Sequence, residues 1–238
     1  MRNPTPISNR TEPDRRDINT EPVLYENERP NHIIGFSVVF LSDKKIAYQA
    51  RRMCLTAGDV VKSKVMEMIG WLQDNGTADF NPPRDVLTSE QFKLLAETSS
   101  SLNDSPTGQP FRWMNCKGEV KEEPHIALLE INKPTLLVFT SNTKAIKYAD
   151  FKSDYITPRR DRSSKLDPHC YDVRSWCQDT VLAFYSDFDP TREEPSEFWY
   201  NLVIRATYEN PKGKVVQEII ETNNYDPGNG SGSGAGFP

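Results

Sequence analysis

The stretch Trp199-Tyr-Asn-Leu-Val-Ile-Arg-Ala-Thr-Tyr208, Glu209-Asn-Pro-Lys-Gly213, Lys214-Val-Val-Gln-Glu-Ile-Ile-Glu221 sets two β-branched and aromatic runs around a short polar segment. Asn, Pro and Gly in that segment supply turn dihedrals, so the pattern predicts a β-hairpin over 199–221. The same signature recurs towards the N-terminus. Residues 33–41 and 45–50 flank Ser42-Asp43, 111–115 and 119–121 flank Cys116-Lys117-Gly118, and 126–131 and 135–139 flank Asn132-Lys133-Pro134. A further apolar run covers 181–185.

Helical periodicity is rarer. Val61, Val65, Met68, Ile69 and Leu72 recur at helical spacing within 59–74, ahead of Asn75-Gly76. Thr88-Ser-Glu-Gln91 is a capping-box pattern before Phe92, Leu94 and Leu95. Thr140-Ser141-Asn142 reads as the cap of a third helix carrying Ala145, Ile146, Tyr148 and Ala149. These signals predict a β-dominated α+β domain with about seven strands and three helices.

Composition sets the boundaries. Residues 1–31 hold five prolines, five arginines and six acids around one apolar cluster, Val23-Leu24-Tyr25. Such a stretch buries too little surface to offset its ordering entropy and reads as a disordered or partner-ordered arm. Residues 226–238 carry five of the twelve glycines and read as a flexible tail, leaving a single body over 32–225. With 29 basic and 34 acidic side chains the net charge is −5, which argues against a bulk polycation but leaves room for a local basic groove. No run is long and apolar enough to span a membrane, and the first residues have no secretory h-region. Four cysteines are too few for a disulfide-built scaffold, so a reducing, cytoplasmic setting is expected, the host cytoplasm if the protein is viral.

Catalytic signatures are missing. There is no G-x-S-x-G, H-E-x-x-H or P-loop, so the chain is read as a non-enzyme without a cofactor. Cys116, His125, His169, Cys170 and Cys177 are ligand types for zinc, but no CxxC spacing joins them and no metal is assigned. Asp187, Asp189, Glu193, Glu194 and Glu197 crowd one proline-bearing segment, read as a solvated acidic loop rather than a Mg²⁺ or Ca²⁺ site.

Residues 141–175 reverse the charge. Eight cations stand against five acids there, a local +3, with Tyr148, Phe151, Tyr155 and Tyr171 interleaved and Trp176 just beyond. Cations to follow a phosphate backbone and rings to stack on bases are what a single-strand groove requires. The order of elements over about 110–225 (hairpin, strand, Lys133-Pro-Thr-Leu-Leu-Val-Phe-Thr-Ser-Asn-Thr-Lys-Ala-Ile-Lys147, basic stretch, turn-tipped hairpin) resembles the OB-type core of phage and prophage single-stranded-DNA-binding proteins. The resemblance implies a partly open OB-like barrel and sequence-independent binding of single strands, DNA in preference to RNA, in replication or recombination. Lys144, Lys147, Lys152, Arg159, Arg160, Arg162 and Arg174 would then neutralise phosphates. Trp113, Tyr155, Trp176 and Tyr208 would stack on bases, while Arg205, Lys212 and Lys214 close the groove. The competing expectation is a virion or assembly protein whose arms, 1–31 and 226–238, hold neighbouring subunits in a homo-oligomer.

Overall fold

The computed structural model describes residues 30–42, 44–73, 85–100, 111–123, 129–130, 133–148, 156–158, 170–176, 180–186, 197–198, 200–221 and 229–230. Both proposed arms fall almost wholly outside them. The elements are β1 (His32–Ser42), β2 (Lys45–Cys54), α1 (Val61–Gln73), α2 (Ser89–Ser100), β3 (Phe111–Met114), β4 (Val120–Glu123), β5 (Leu129–Glu130) and β6 (Thr135–Ser141). They continue with β7 (Ile146–Lys147), β8 (Ile156–Pro158), β9 (Cys170–Trp176), β10 (Val181–Ser186), β11 (Glu197–Phe198), β12 (Tyr200–Glu209), β13 (Val215–Glu221) and β14 (Asn229–Gly230).

Seven strands form the main sheet in the order β4-β3-β2-β1-β6-β10-β9. β1 pairs antiparallel with β2 and parallel with β6, and β2 pairs parallel with β3. Parallel pairing at the centre explains why β1 and β6 read as continuous apolar runs: both faces are covered. On one face Ile33, Met53, Leu136, Val138, Val181 and Ala183 pack against Val65, Met68, Ile69 and Leu72 of α1. On the other, Ile34, Phe36, Phe40, Leu137, Phe139 and Phe184 meet Leu202, Ile204 and Ala206 of β12, with Leu87 and Leu95 beside them. Phe139 stacks between Phe36 and Phe184, at centroid distances of 5.4 and 5.7 Å. The molecule is thus layered: α1, the large sheet, then the β13-β12-β7 sheet with α2.

Gly35 allows α1 to lie flat. A Cβ at this position would come 2.5 Å from Leu72 Cδ1 and 2.7 Å from Met68 Sδ. One pleat further, Ser37 Oγ donates to the Leu72 carbonyl at 2.6 Å, and Gln73 Nε2 donates to Thr140 Oγ1 at 3.2 Å, fastening the end of the helix to the sheet. At α2 the capping box forms in full: Gln91 N–H donates to Thr88 Oγ1 at 3.1 Å and Thr88 N–H to Gln91 Oε1 at 2.9 Å.

Three expectations change. The third helix is replaced by a turn and the short strand β7, because Asn142 bonds outward instead of capping: its Oδ1 accepts from Phe40 N–H and its Nδ2 donates to the Phe40 carbonyl. Ala145, Ile146 and Tyr148 are buried around a half-buried Lys147, and Tyr148 Oη donates to the Thr140 carbonyl at 2.8 Å. Part of the irregular basic stretch is strand: β9 pairs antiparallel with β10 at the sheet edge. The β-dominated α+β class holds with two helices, but the main sheet ends at β4 and β9 without joining into a barrel among the described residues.

Candidate functional site

Of the proposed phosphate contacts, two are brought side by side. β12 runs antiparallel to β7 with Arg205 opposite Lys147 and Ala206 opposite Ile146. Ile146 and Ala206 enter the core, so the alternation of side chains turns Lys147 and Arg205 to the outer face. Lys144 is exposed in the turn before β7. At the far end, Lys212 and Lys214 are exposed on the β12–β13 turn, where Asn210 Oδ1 accepts from both of their backbone N–H groups at 3.0 and 3.1 Å. Gly213 adopts φ 74° there, a conformation that favours glycine. Ile219 is opposite Arg205 and Val215 is opposite Glu209, and the two apolar side chains are 50% and 53% exposed.

The rings do not join this row. Trp113 is 1% exposed, packed in the core between the sheets with the Lys121 ammonium 5.3 Å from its centroid, so it offers no surface to a base. Tyr208 lies flat on Phe92 at a centroid distance of 3.7 Å, and its hydroxyl donates to Glu218 Oε2 at 3.0 Å. The Glu218 carboxylate holds the Tyr208 phenol above its ordinary range, because it accepts from the protonated form. Lys152, Tyr155, Arg159, Arg160 and Arg162 lie outside the described residues. Arg174 and Trp176 occupy β9, opposite Ala183 and Val181.

A second basic group went unread in the sequence. On the α1 side of the sheet, the guanidinium carbons of Arg51 and Arg112 lie 5.9 and 5.4 Å from the centroid of Trp71. Arg51 Nη2 donates to Glu67 Oε1 at 2.7 Å, and this bond holds the Glu67 carboxyl below its ordinary range. The signal was the parity of β2: Arg51 falls on the same face as Met53, which packs under α1.

The third cluster corrects the cysteine reading. Cys54, at the end of β2, and Cys116, in the β3–β4 turn, form a disulfide with Cα atoms 5.4 Å apart. His32 is the direct antiparallel partner of Cys54, and one of its ring nitrogens and the two sulfurs all lie within 4.8 Å of one another. Burial first, then Arg52 and Lys133, hold the imidazole below its ordinary pKa. Of the zinc ligands considered from sequence, Cys116 therefore groups with Cys54 and His32. Cys170 lies on β9, and His125, His169 and Cys177 lie outside the described residues, as do Asp187, Asp189, Glu193 and Glu194 of the acidic segment. The Ser42–Lys45 pairing at the turn would extrapolate to residue 55 opposite residue 32, and the register shift between Phe40 and Ser42 is what sets His32 opposite Cys54.

No family model, curated protein or solved structure matches the chain. Among the described residues, no helix is long and apolar enough to cross a membrane.

Proposed function

We propose that this chain is a non-catalytic, sequence-independent binder of single-stranded nucleic acid, DNA before RNA, that uses the outer face of the β7-β12-β13 sheet. The observation that carries the reading is the cross-strand pair Lys147–Arg205, flanked by Lys144 and by the hairpin-tip lysines Lys212 and Lys214. Two cations directly opposite each other on neighbouring strands are spaced so that one phosphate could accept from both. From Arg205 to the hairpin tip is about five residues, or roughly 17 Å of strand, enough for a few backbone phosphates. With Trp113 in the core and one face of Tyr208 on Phe92, the contact is mainly electrostatic. The resemblance to phage single-stranded-DNA-binding proteins rests on element order alone, and the helix expected over about 140–149 is replaced in that order by the turn and β7. Binding of oligo-dT to the wild type and to a Lys147→Ala/Arg205→Ala variant tests the reading.

A second reading, assembly of like subunits, is favoured by Val215 and Ile219, which are exposed on β13 at the end of its sheet. Concentration-driven assembly without nucleic acid, lost on Ile219→Lys, would support it over the first.

A further inference from the structure

We propose that His32, Cys54 and Cys116 form a zinc-type metal site when the Cys54–Cys116 disulfide is reduced, and that metal binding and the disulfide are mutually exclusive states of one cluster. The three donors come from separate elements, the start of β1, the end of β2 and the β3–β4 turn, and their ligand atoms already lie within 4.8 Å of one another. A tetrahedral zinc with Zn–S near 2.3 Å and Zn–N near 2.0 Å places its ligand atoms roughly 3.5–3.8 Å apart. The two sulfurs have to separate from bonded contact and the imidazole–sulfur distances, all within 4.8 Å, have to settle into that range; both cysteines are exposed, with room to move.

Backbone hydrogen bonds that do not involve the S–S link hold each donor. His32 and Asn31 N–H both donate to the Pro134 carbonyl, at 3.3 and 2.7 Å, and Leu55 N–H donates to the Asn31 carbonyl at 2.7 Å, which brackets His32 and Cys54 together. The turn bearing Cys116 is closed by Asn115 Oδ1, which accepts from Lys117 and Glu119 N–H at 2.9 and 3.0 Å, with Gly118 at φ 81°. Reduction therefore leaves the ligands gathered. Two thiolates and a neutral imidazole around a divalent ion sum to zero charge, so the nearby cations Arg52 and Lys133 face no net positive centre. The protein supplies three ligands, and the fourth position is open to water, as in Cys₂His sites.

Reduction by a water-soluble phosphine converts the disulfide and one water into two thiols, with the phosphine leaving as its oxide. The metal then displaces the two thiol protons. In a Cys170→Ser/Cys177→Ser background, so reduced and handled without oxygen, Co²⁺ added alone is expected to bind at one equivalent. It should show tetrahedral d–d bands and a thiolate-to-cobalt charge-transfer band that Zn²⁺ bleaches. The oxidised protein shows neither, and Cys54→Ser loses the charge-transfer band. As a check that needs no ligand variant, one equivalent of Zn²⁺ slows alkylation of Cys54 and Cys116. Two titratable thiols without a cobalt band overturn the proposal, and so does a band that survives Cys54→Ser. A reduced chain that loses its folded circular dichroism overturns it as well, because the backbone would then not hold the ligands by itself.

Discussion

Lys147 of β7 and Arg205 of β12 are direct cross-strand partners on the outer face of the smaller sheet. Lys147→Glu, which places an acid opposite Arg205 in the same register, is expected to weaken oligonucleotide binding while the thermal midpoint changes little. A parallel loss of stability and binding would show that Lys147 serves the fold instead.

Packing at Gly35 gives a sharper expectation. Gly35→Ala places a methyl within 3 Å of Leu72 and Met68 side-chain atoms and should destabilise by about 1–3 kcal/mol, read as a lower denaturant midpoint. Met68→Ala in the same chain should recover part of that loss, because it empties one side of the clash; strict additivity of the two changes would contradict the contact.

At α2, Thr88→Ala removes the acceptor for Gln91 N–H and should lower stability by about 1 kcal/mol, whereas Thr88→Ser keeps the cap and should lose little. Equal losses in both variants would place the effect in the threonine methyl.

Acid should weaken the α1 side. Asp59 Oδ2 accepts from Thr56 N–H and Oγ1, which lowers its pKa, and Glu67 is lowered chiefly by Arg51. Because both folded values lie below the unfolded ones, their contribution is present above the ordinary carboxylate range and is lost as pH falls through the folded values. The thermal midpoint is expected to drop across that range, and Asp59→Asn with Glu67→Gln should flatten the drop. A pH profile identical in the double variant would remove these groups as its cause.

Local chemistry was the part of the fold that the sequence made legible. The Glu209-to-Gly213 turn, the Thr88–Gln91 capping box and the buried stripe Val65, Met68, Ile69 and Leu72 all lie where their patterns put them, since each depends on residues a few positions apart. Contacts across long separations were not legible. Asn142 reads as a helix cap but bonds to Phe40, 102 residues away. Trp113 has the neighbours of a surface ring in sequence, yet it is opposite buried Ala50 in a parallel pairing that local pattern does not encode. The Cys54–Cys116 link spans 62 residues and follows from the approach of β2 and β3. The cations at 144, 147, 205, 212 and 214 were identified individually, and only strand register shows which of them are neighbours.

The most direct test is a titration of oligo-dT against the protein at a series of salt concentrations, with the Lys147→Ala/Arg205→Ala variant alongside. The account predicts an affinity that falls with salt, with a log–log slope of about −0.7 per phosphate neutralised and no steeper than about −3.5 if only Lys144, Lys147, Arg205, Lys212 and Lys214 make contact. The variant should bind more weakly, with a shallower slope. Affinity that is absent, insensitive to salt, or unchanged in the variant would contradict it.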